Sequence, residues 1–314
     1  MLPCFDGFHQ PSRVSLDAAG SMKRNAMQVA IHTGVHATDS DQLLKTLLRN
    51  RDVVRSDGVA VPGPGKYRKL MSEMLNALGP TRPAPDAGDI LLDSVLDEDS
   101  NQVDRLVFCH ENLFSVPKIA FQGGRVYRKA EQRLENLAYL FGERNLELFI
   151  SVRNPATFLP ALLNATPHND LDALLCGLDP FAVRWSEFVG RVSEALPGVP
   201  ITVWCDEDSP LVWGEVVREM TGIAPMRPLV GAYSRLAEIM TKEGMTRFRG
   251  YVADHPDLTE VQIRRVMVAF LDKFADPGKM ENEVDIPGWS EDYIAELTDQ
   301  YEDDVYELGR QIGR

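Results

Sequence analysis

The feature that most constrains this chain is one pattern, met four times: a short apolar run, a few polar or turn residues, then a stretch with helical spacing. The runs are 28–32 (QVAIH), 104–109 (DRLVFC), 146–152 (LELFISV) and 200–205 (PITVWC). Each is apolar or β-branched and ends in turn-forming residues, as buried strands do. Apolar residues recur three and four apart over 41–49, 66–78 and 125–141, and helices are also expected at 155–164, 180–195, 209–221 and 259–274. The Pro-rich stretch 80–86 reads as a loop. Strands alternating with helices, spaced too widely for hairpins, predict an α/β fold with a parallel sheet flanked by helices. Ligands of such sheets bind beyond the carboxyl ends of the strands. That rule selects 32–40, 110–112, 153–155 and 206–208 as the segments to read for chemistry.

Charge excludes one class of partner. With 33 Lys and Arg against 47 Asp and Glu the net charge is −14, so no broad nucleic-acid surface is expected, because phosphate backbones need clustered cations. The acidity is uneven: residues 281–314 hold eleven Asp and Glu against two Arg. This segment reads as an acidic, mostly helical C-terminal extension packing on the same domain, with Ser290 as its N-cap. Residues 27–280 form the α/β domain, and 1–26 read as a disordered N-terminal arm. That arm lacks the apolar stretch of a signal peptide, and no run reaches the ~18 apolar residues of a membrane span. Cys4, Cys109, Cys176 and Cys205 show neither C-x-x-C spacing nor the density of a disulfide scaffold. Cys109 and Cys205, in apolar runs, read as buried free thiols, and a cytoplasmic location is expected.

The first strand ends in HTGVHATDSDQ, residues 32–42. A turn leading into a helix offers free N–H groups and a positive dipole end to an anion. Gly34 permits a tight turn, and Thr38 and Ser40 carry hydroxyl donors. Asp39 and Asp41 oppose an anion, however, and either Ser40 or Asp39 would serve as a plain helix cap. Both readings stand on the residues alone. The second strand ends in C-H-E-N-L, residues 109–113, where His110 or Glu111 is placed either to act as a general base or to serve as a polar strand terminus bonded to neighbouring backbone. Neighbours in sequence point to opposite sides, so one of the two faces a cleft. The third ends in S-V-R-N-P-A, residues 151–156. There Pro155 suits a first helical turn and Arg153 is placed either to meet an oxyanion with a forked pair of hydrogen bonds or to form a structural ion pair. His36, His168 and His255 show no metal-ligand spacing, so no metal site is expected. Trp185, Trp204, Trp213 and Trp289 read as packing residues.

The order of these pieces resembles the sulfotransferase family of the P-loop fold, whose bacterial members begin with a strand and H-x-G-x-H-K-T-G-T-T. Here V-A-I-H-T-G-V-H-A-T-D-S-D-Q-L (29–43) has that shape, and W-S-E-D-Y-I-A-E-L-T-D-Q-Y-E-D-D-V is similar to the family's C-terminal helix. The resemblance covers roughly 27–310 and implies a P-loop NTPase-like, sulfotransferase-like sheet. It also implies 3′-phosphoadenosine 5′-phosphosulfate as sulfuryl donor and a hydroxyl or amine acceptor on a small molecule or glycan. Carried over, Gly34, His36, Thr38 and Ser40 would hold the 5′-phosphosulfate, Arg153 the 3′-phosphate, and His110 or Glu111 would be the base. The departures fall on the charges. The family's loop Lys is Ala37, its 3′-phosphate Ser is Ala161, and Asp39 and Asp41 interrupt the small loop residues. The late glycine-rich segment is replaced by TRFRGYV at 246–252, which keeps only Arg247 and Arg249. Lys45, Arg125 and Arg128 are the candidates to replace the Lys. The readings are a divergent sulfotransferase, a catalytically inactive relative that binds an anionic ligand or a protein, and, least supported, a small-molecule kinase, since no G-x-x-x-x-G-K-[ST] occurs.

Overall fold

The computed structural model describes residues 27–39, 41–96, 103–142, 145–167, 170–225, 227–280 and 286–312. Its centre is a parallel sheet of five strands, β1 (Gln28–His32), β2 (Val59–Ala60), β3 (Arg105–Cys109), β4 (Leu146–Val152) and β5 (Ile201–Cys205). The strands lie in the order β2-β3-β1-β4-β5. β1 pairs with β3 on one side and β4 on the other. The chain therefore leaves β1 toward one edge, then returns to build the other half of the sheet from β4. This reversal puts a crevice at the carboxyl end of β1, where open α/β sheets take their ligands. The four strands expected from the sequence are present within a residue at either end. The edge strand β2 is new, and two residues are too few to leave a periodic signal.

Helices cover both faces because the strands are apolar on both. All five residues of β3 are buried, as expected when a parallel strand has helices above and below. On one face pack α1 (Gln42–Arg49), α2 (Arg51–Arg55) and α9 (Ser209–Thr221), through Leu43, Leu47, Val54, Trp213 and Val217. On the other lie α3 (Pro64–Leu78), α4 (Ala87–Val95), α5 (Ala130–Phe141), α6 (Pro155–Asn164), α7 (Leu171–Leu175) and α8 (Trp185–Ala195), around Tyr67, Phe108, Leu134, Phe158 and Trp185. Each such side chain contributes about 1.5–3 kcal/mol on burial. A third small core joins α10 (Leu236–Ile239), α11 (Lys242–Asp254) and α12 (Glu260–Phe274) around Leu236 and Phe248. The short α13 (Pro277–Met280) follows.

Two helical expectations are corrected. Residues 125–129 are not helical, and α5 starts at Ala130. Gly123, Gly124 and Tyr127 all take left-handed φ, at 79°, 68° and 48°, which unwinds the stretch. Residues 180–195 split into a single 3-10 turn at Pro180–Ala182 and α8.

The acidic segment ends in α14 (Glu291–Ile312), capped by Ser290, whose Oγ accepts the N–H of Tyr293 at 3.1 Å. Leu297, Tyr301, Val305 and Leu308 recur on one stripe and enter the main core. Asp304 is 1 % exposed. Its carboxylate accepts the N–H groups of Trp185 at 2.5 Å and Ser186 at 3.2 Å, the Ser186 hydroxyl, and Arg184 Nε at 3.3 Å. α14 thus supplies the N-terminal cap of α8 from more than a hundred residues away. Among the described residues no helix is long and apolar enough to cross a membrane.

Candidate functional site

The loop after β1 is fastened to the neighbouring strands before any ligand is considered. The N–H groups of Thr33 and Val35 donate to the carbonyls of Phe149 and Ser151 at 3.0 and 2.7 Å. Gly34, between them, has φ 83°, and a side chain there would meet Glu111 Cα at 3.5 Å and the His36 nitrogen at 3.4 Å. A glycine is needed at this crossing of the β1 and β3 ends. Gly34 and Glu111 are therefore neighbours, as the strand-end reading expects.

His36 does not face an anion. It is 2 % exposed, with Nε2 2.9 Å from the Ser115 carbonyl and 3.1 Å from Asn112 Oδ1. Two acceptors at Nε2 place the ring proton there, leaving Nδ1 to accept from Tyr127 Oη at 2.9 Å. The same hydroxyl accepts the His36 backbone N–H at 3.1 Å. Burial lowers the His36 pKa against the raising effect of Asn112, so the ring is a neutral brace between the β1 loop and the 112–127 loop. Thr38 is likewise engaged: its Oγ1 donates to the Val35 carbonyl at 3.0 Å. Ser40 lies outside the described residues.

Asp39 takes the place an anion would occupy. Its carboxylate accepts the Leu43 N–H at 2.8 Å, its carbonyl accepts the Gln42 N–H at 2.8 Å, and the residue is 7 % exposed. The cap of α1 is thus the carboxylate of Asp39, although Asp41 stands at the N-cap position with no side-chain cap bond. Asp41 adopts a left-handed φ of 63° and turns outward to Arg68 of α3, 2.5 Å away. This hydrogen-bonded pair holds the Asp41 carboxyl below its ordinary range, and Arg68 Nε also donates to the Cys109 carbonyl at 2.9 Å. Arg68 is a cation held at the loop that no sequence signal marked: K-Y-R-K reads as an ordinary amphipathic helix start.

Arg153 reaches the loop but not as a free anion ligand. Nε donates to Thr157 Oγ1 at 2.9 Å, one terminal nitrogen donates to the Ala37 carbonyl, and the Arg153 carbonyl accepts Trp185 Nε1 at 2.8 Å. Ala37 itself takes φ 56°. Where the resemblance expects a Lys, the chain presents a carbonyl held by the Arg assigned to a phosphate. Of the candidate replacements, Arg125 pairs with Glu131 at 3.5 Å, and Arg128 lies along Gly123. Lys45, on α1, is close enough for its charge to lower the Asp41 carboxyl slightly.

The two candidate bases separate. His110 is buried beneath α3, with Nε2 2.8 Å from Ser72 Oγ and 3.1 Å from the Arg68 carbonyl. Burial, aided by the Arg68 charge, pushes its pKa down to about 4, a poor base at neutral pH. Glu111 is half-buried beside Gly34, and burial, reinforced by Asp41, raises its carboxyl. Of the pair, Glu111 is the one at the loop.

The end of β5 completes the site. Asp206 is buried, and burial pushes its carboxyl up to about 7 against the opposing charge of Arg235, whose Nη2 is 3.3 Å away. Asp208 is raised to about 6 by burial and the neighbouring Glu207. His32, 2 % exposed and stacked on Trp204 with ring centroids 5.3 Å apart, has a buried Nε2 with no hydrogen-bond partner among the described residues. Among those residues no cluster of three His, Cys, Asp or Glu is arranged to hold a metal ion. The strand ends therefore assemble a loop whose dipole and cations are answered by its own carboxylates. A donor phosphate fits this set poorly, because the helix N–H, the hydroxyl of Thr38 and the guanidinium of Arg153 already have partners.

No family model matches the chain, and no curated protein matches it. Among solved structures it is similar to a sulfotransferase from Alicyclobacillus acidocaldarius, at 14% identity over 92% of this chain and 96% of that one, with a TM-score of 0.40. It is also similar to a retinol dehydratase in complex with androsterone and the inactive cofactor PAP, at 12% identity over 91% and 82% of the two chains, with a TM-score of 0.28.

Proposed function

We propose that this chain is a catalytically inactive relative of the sulfotransferases, a binding protein built on a donor loop that has been closed from within. The observation that carries the reading is the Asp39 carboxylate at the start of α1, buried and bonded to Leu43 N–H. It fills the anion position of the helix with a charge that a phosphate must displace. Two unit charges ~4 Å apart at an effective dielectric of ~20 repel by about 4 kcal/mol. A nucleotide phosphate at this loop also has to take Arg153 from the Ala37 carbonyl. The experiment is thermal unfolding with 3′-phosphoadenosine 5′-phosphate. A ligand at ~100 times its Kd adds about 2.7 kcal/mol, so the expected result is no shift in Tm at millimolar nucleotide. A clear rise would overturn the reading. The double variant Ala37→Lys with Asp39→Gly restores the loop's missing cation and removes its internal anion, and is expected to gain nucleotide protection that the parent lacks.

One observation favours the other reading, sulfuryl transfer from 3′-phosphoadenosine 5′-phosphosulfate to a hydroxyl or amine. Glu111 stands at the loop with a raised carboxyl and no hydrogen-bond partner among the described residues. That is the placement of a general base. Release of 3′-phosphoadenosine 5′-phosphate in the presence of an acceptor panel, abolished by Glu111→Gln, would establish it.

A further inference from the structure

In a chain of net charge −14, residues 112–130 contain Lys118, Arg125, Arg128 and Lys129 and no Asp or Glu. All four cations are exposed. Among the described residues only Arg125 meets an acid, at 3.5 Å from Glu131, which Arg191 already holds at 2.7 Å. Lys129 stands at the N-cap of α5, the helix end where positive charge is unfavourable. The backbone presenting these residues is fixed from below. Arg191 donates to the Val126 carbonyl at 2.7 Å, and the Tyr127 hydroxyl is bonded to His36.

The opposite arrangement runs along α14. Asp292, Glu296, Asp299 and Asp303 are all exposed and follow one another at spacings of four, three and four residues. They form a single acidic stripe, turned away from the buried stripe of Leu297, Tyr301, Val305 and Leu308. The dipole favours Asp292 in the first turn, but like charges at the remaining spacings oppose the helix. No cation of the described chain pairs with any of the four. Both features stand on α8: the basic loop is bonded to Arg191, and the last turn of α14 approaches Gly190, whose added Cβ would lie 3.8 Å from Gln311. The basic loop and the helix that carries the acidic stripe thus both pack against α8.

We propose that this chain forms a two-fold dimer in which the 118–129 loop of each copy lies against α14 of the other. A two-fold axis close to α8 makes both contacts at once, and a two-fold contact closes without further growth. Charge at the rim of such an interface sets orientation and makes association sensitive to salt. The proposal is independent of what the strand-end loop binds, so failure of the nucleotide experiment leaves it standing.

The test is sedimentation velocity of the full chain at about 50 mM and about 500 mM salt. A dimer is expected at low salt and a monomer at high salt. Arg125→Glu with Arg128→Glu, and separately Asp299→Lys with Asp303→Lys, are each expected to be monomeric at low salt with an unchanged circular dichroism spectrum. An equimolar mixture of the two variants is expected to restore a dimer, because both contacts then join opposite charges again. A wild-type monomer at low salt, or a dimer that survives both reversals, overturns the proposal. So does a wild-type monomer that binds heparin or a polyglutamate peptide through Arg125 and Arg128, which would assign the loop to a foreign polyanion.

Discussion

Two helices of this molecule begin at a buried carboxylate. α1 starts at Asp39, four residues before the N–H it accepts, and α8 starts at Asp304, 118 residues beyond Ser186. The physics is the same: orphan N–H groups and a dipole find a negative oxygen. What differs is how much else each carboxylate holds. Asp39 binds its own turn, so its removal opens one local position. Asp304 joins two distant helices and also meets Arg184 and the Ser186 hydroxyl. A short-range cap is exchangeable for an outside anion, whereas a long-range one is a fastening.

Two substitutions test this contrast. Asp304→Ala leaves the Trp185 and Ser186 N–H groups and Arg184 without their acceptor, and a loss of about 3 kcal/mol or more is expected in urea unfolding. A loss below about 1 kcal/mol would mean that the apolar stripe alone fastens α14. Asp39→Ala is expected to lose only about 1 kcal/mol, the usual value of a cap, and to gain protection by sulfate or pyrophosphate. If it lost as much as Asp304→Ala, the distinction between exchangeable and fastening caps would collapse.

Asp206 acts through pH and with the opposite sign. Its carboxyl titrates at about 7 in the fold against about 3.9 in an unfolded chain, so the folded state binds this proton more tightly. Its contribution is complete below about pH 4 and is lost as pH rises through about 7. The buried His36 and His110, with lowered pKa values, act the other way over the acidic part of this window, losing stability as pH falls below about 6.5. Asp206→Asn keeps these histidines, so the difference between wild-type and variant stability profiles isolates the carboxyl. That difference is expected to fall steadily from pH 4 to 7, and a flat one would remove Asp206 from the account.

The strands and main helices were legible because their signal is local: β3 is five buried residues in a row, four of them apolar, and α9 carries its stripe in its own sequence. The loop's shape was legible for the same reason, through Gly34 and the strand before it. Its chemistry was only half so. Asp39 as an internal cap follows from spacing to α1. By contrast, the capture of Asp41 by Arg68, the Tyr127 brace on His36 and the Arg153 bond to Ala37 all join segments distant in sequence. The break of helix at 125–129 was missed because its apolar spacing is helical while three left-handed residues decide the backbone. Similarly, His110 and Glu111 look equivalent as letters, and only the packing of α3 over His110 parts them.

The placement of α14 also bears on the order in which the molecule is made. Its side chains complete a core begun near residue 29, and its Tyr301 and Thr298 hold Glu207 and Asn154 at the ends of β5 and β4. A ribosome delivers these residues after every strand of the sheet, at roughly 5–20 residues per second. Until then the α8 start has no cap, and the apolar groove awaiting α14 faces water. The carboxyl ends of β4 and β5, and the site they form, therefore take their final shape only once α14 has been made and docks.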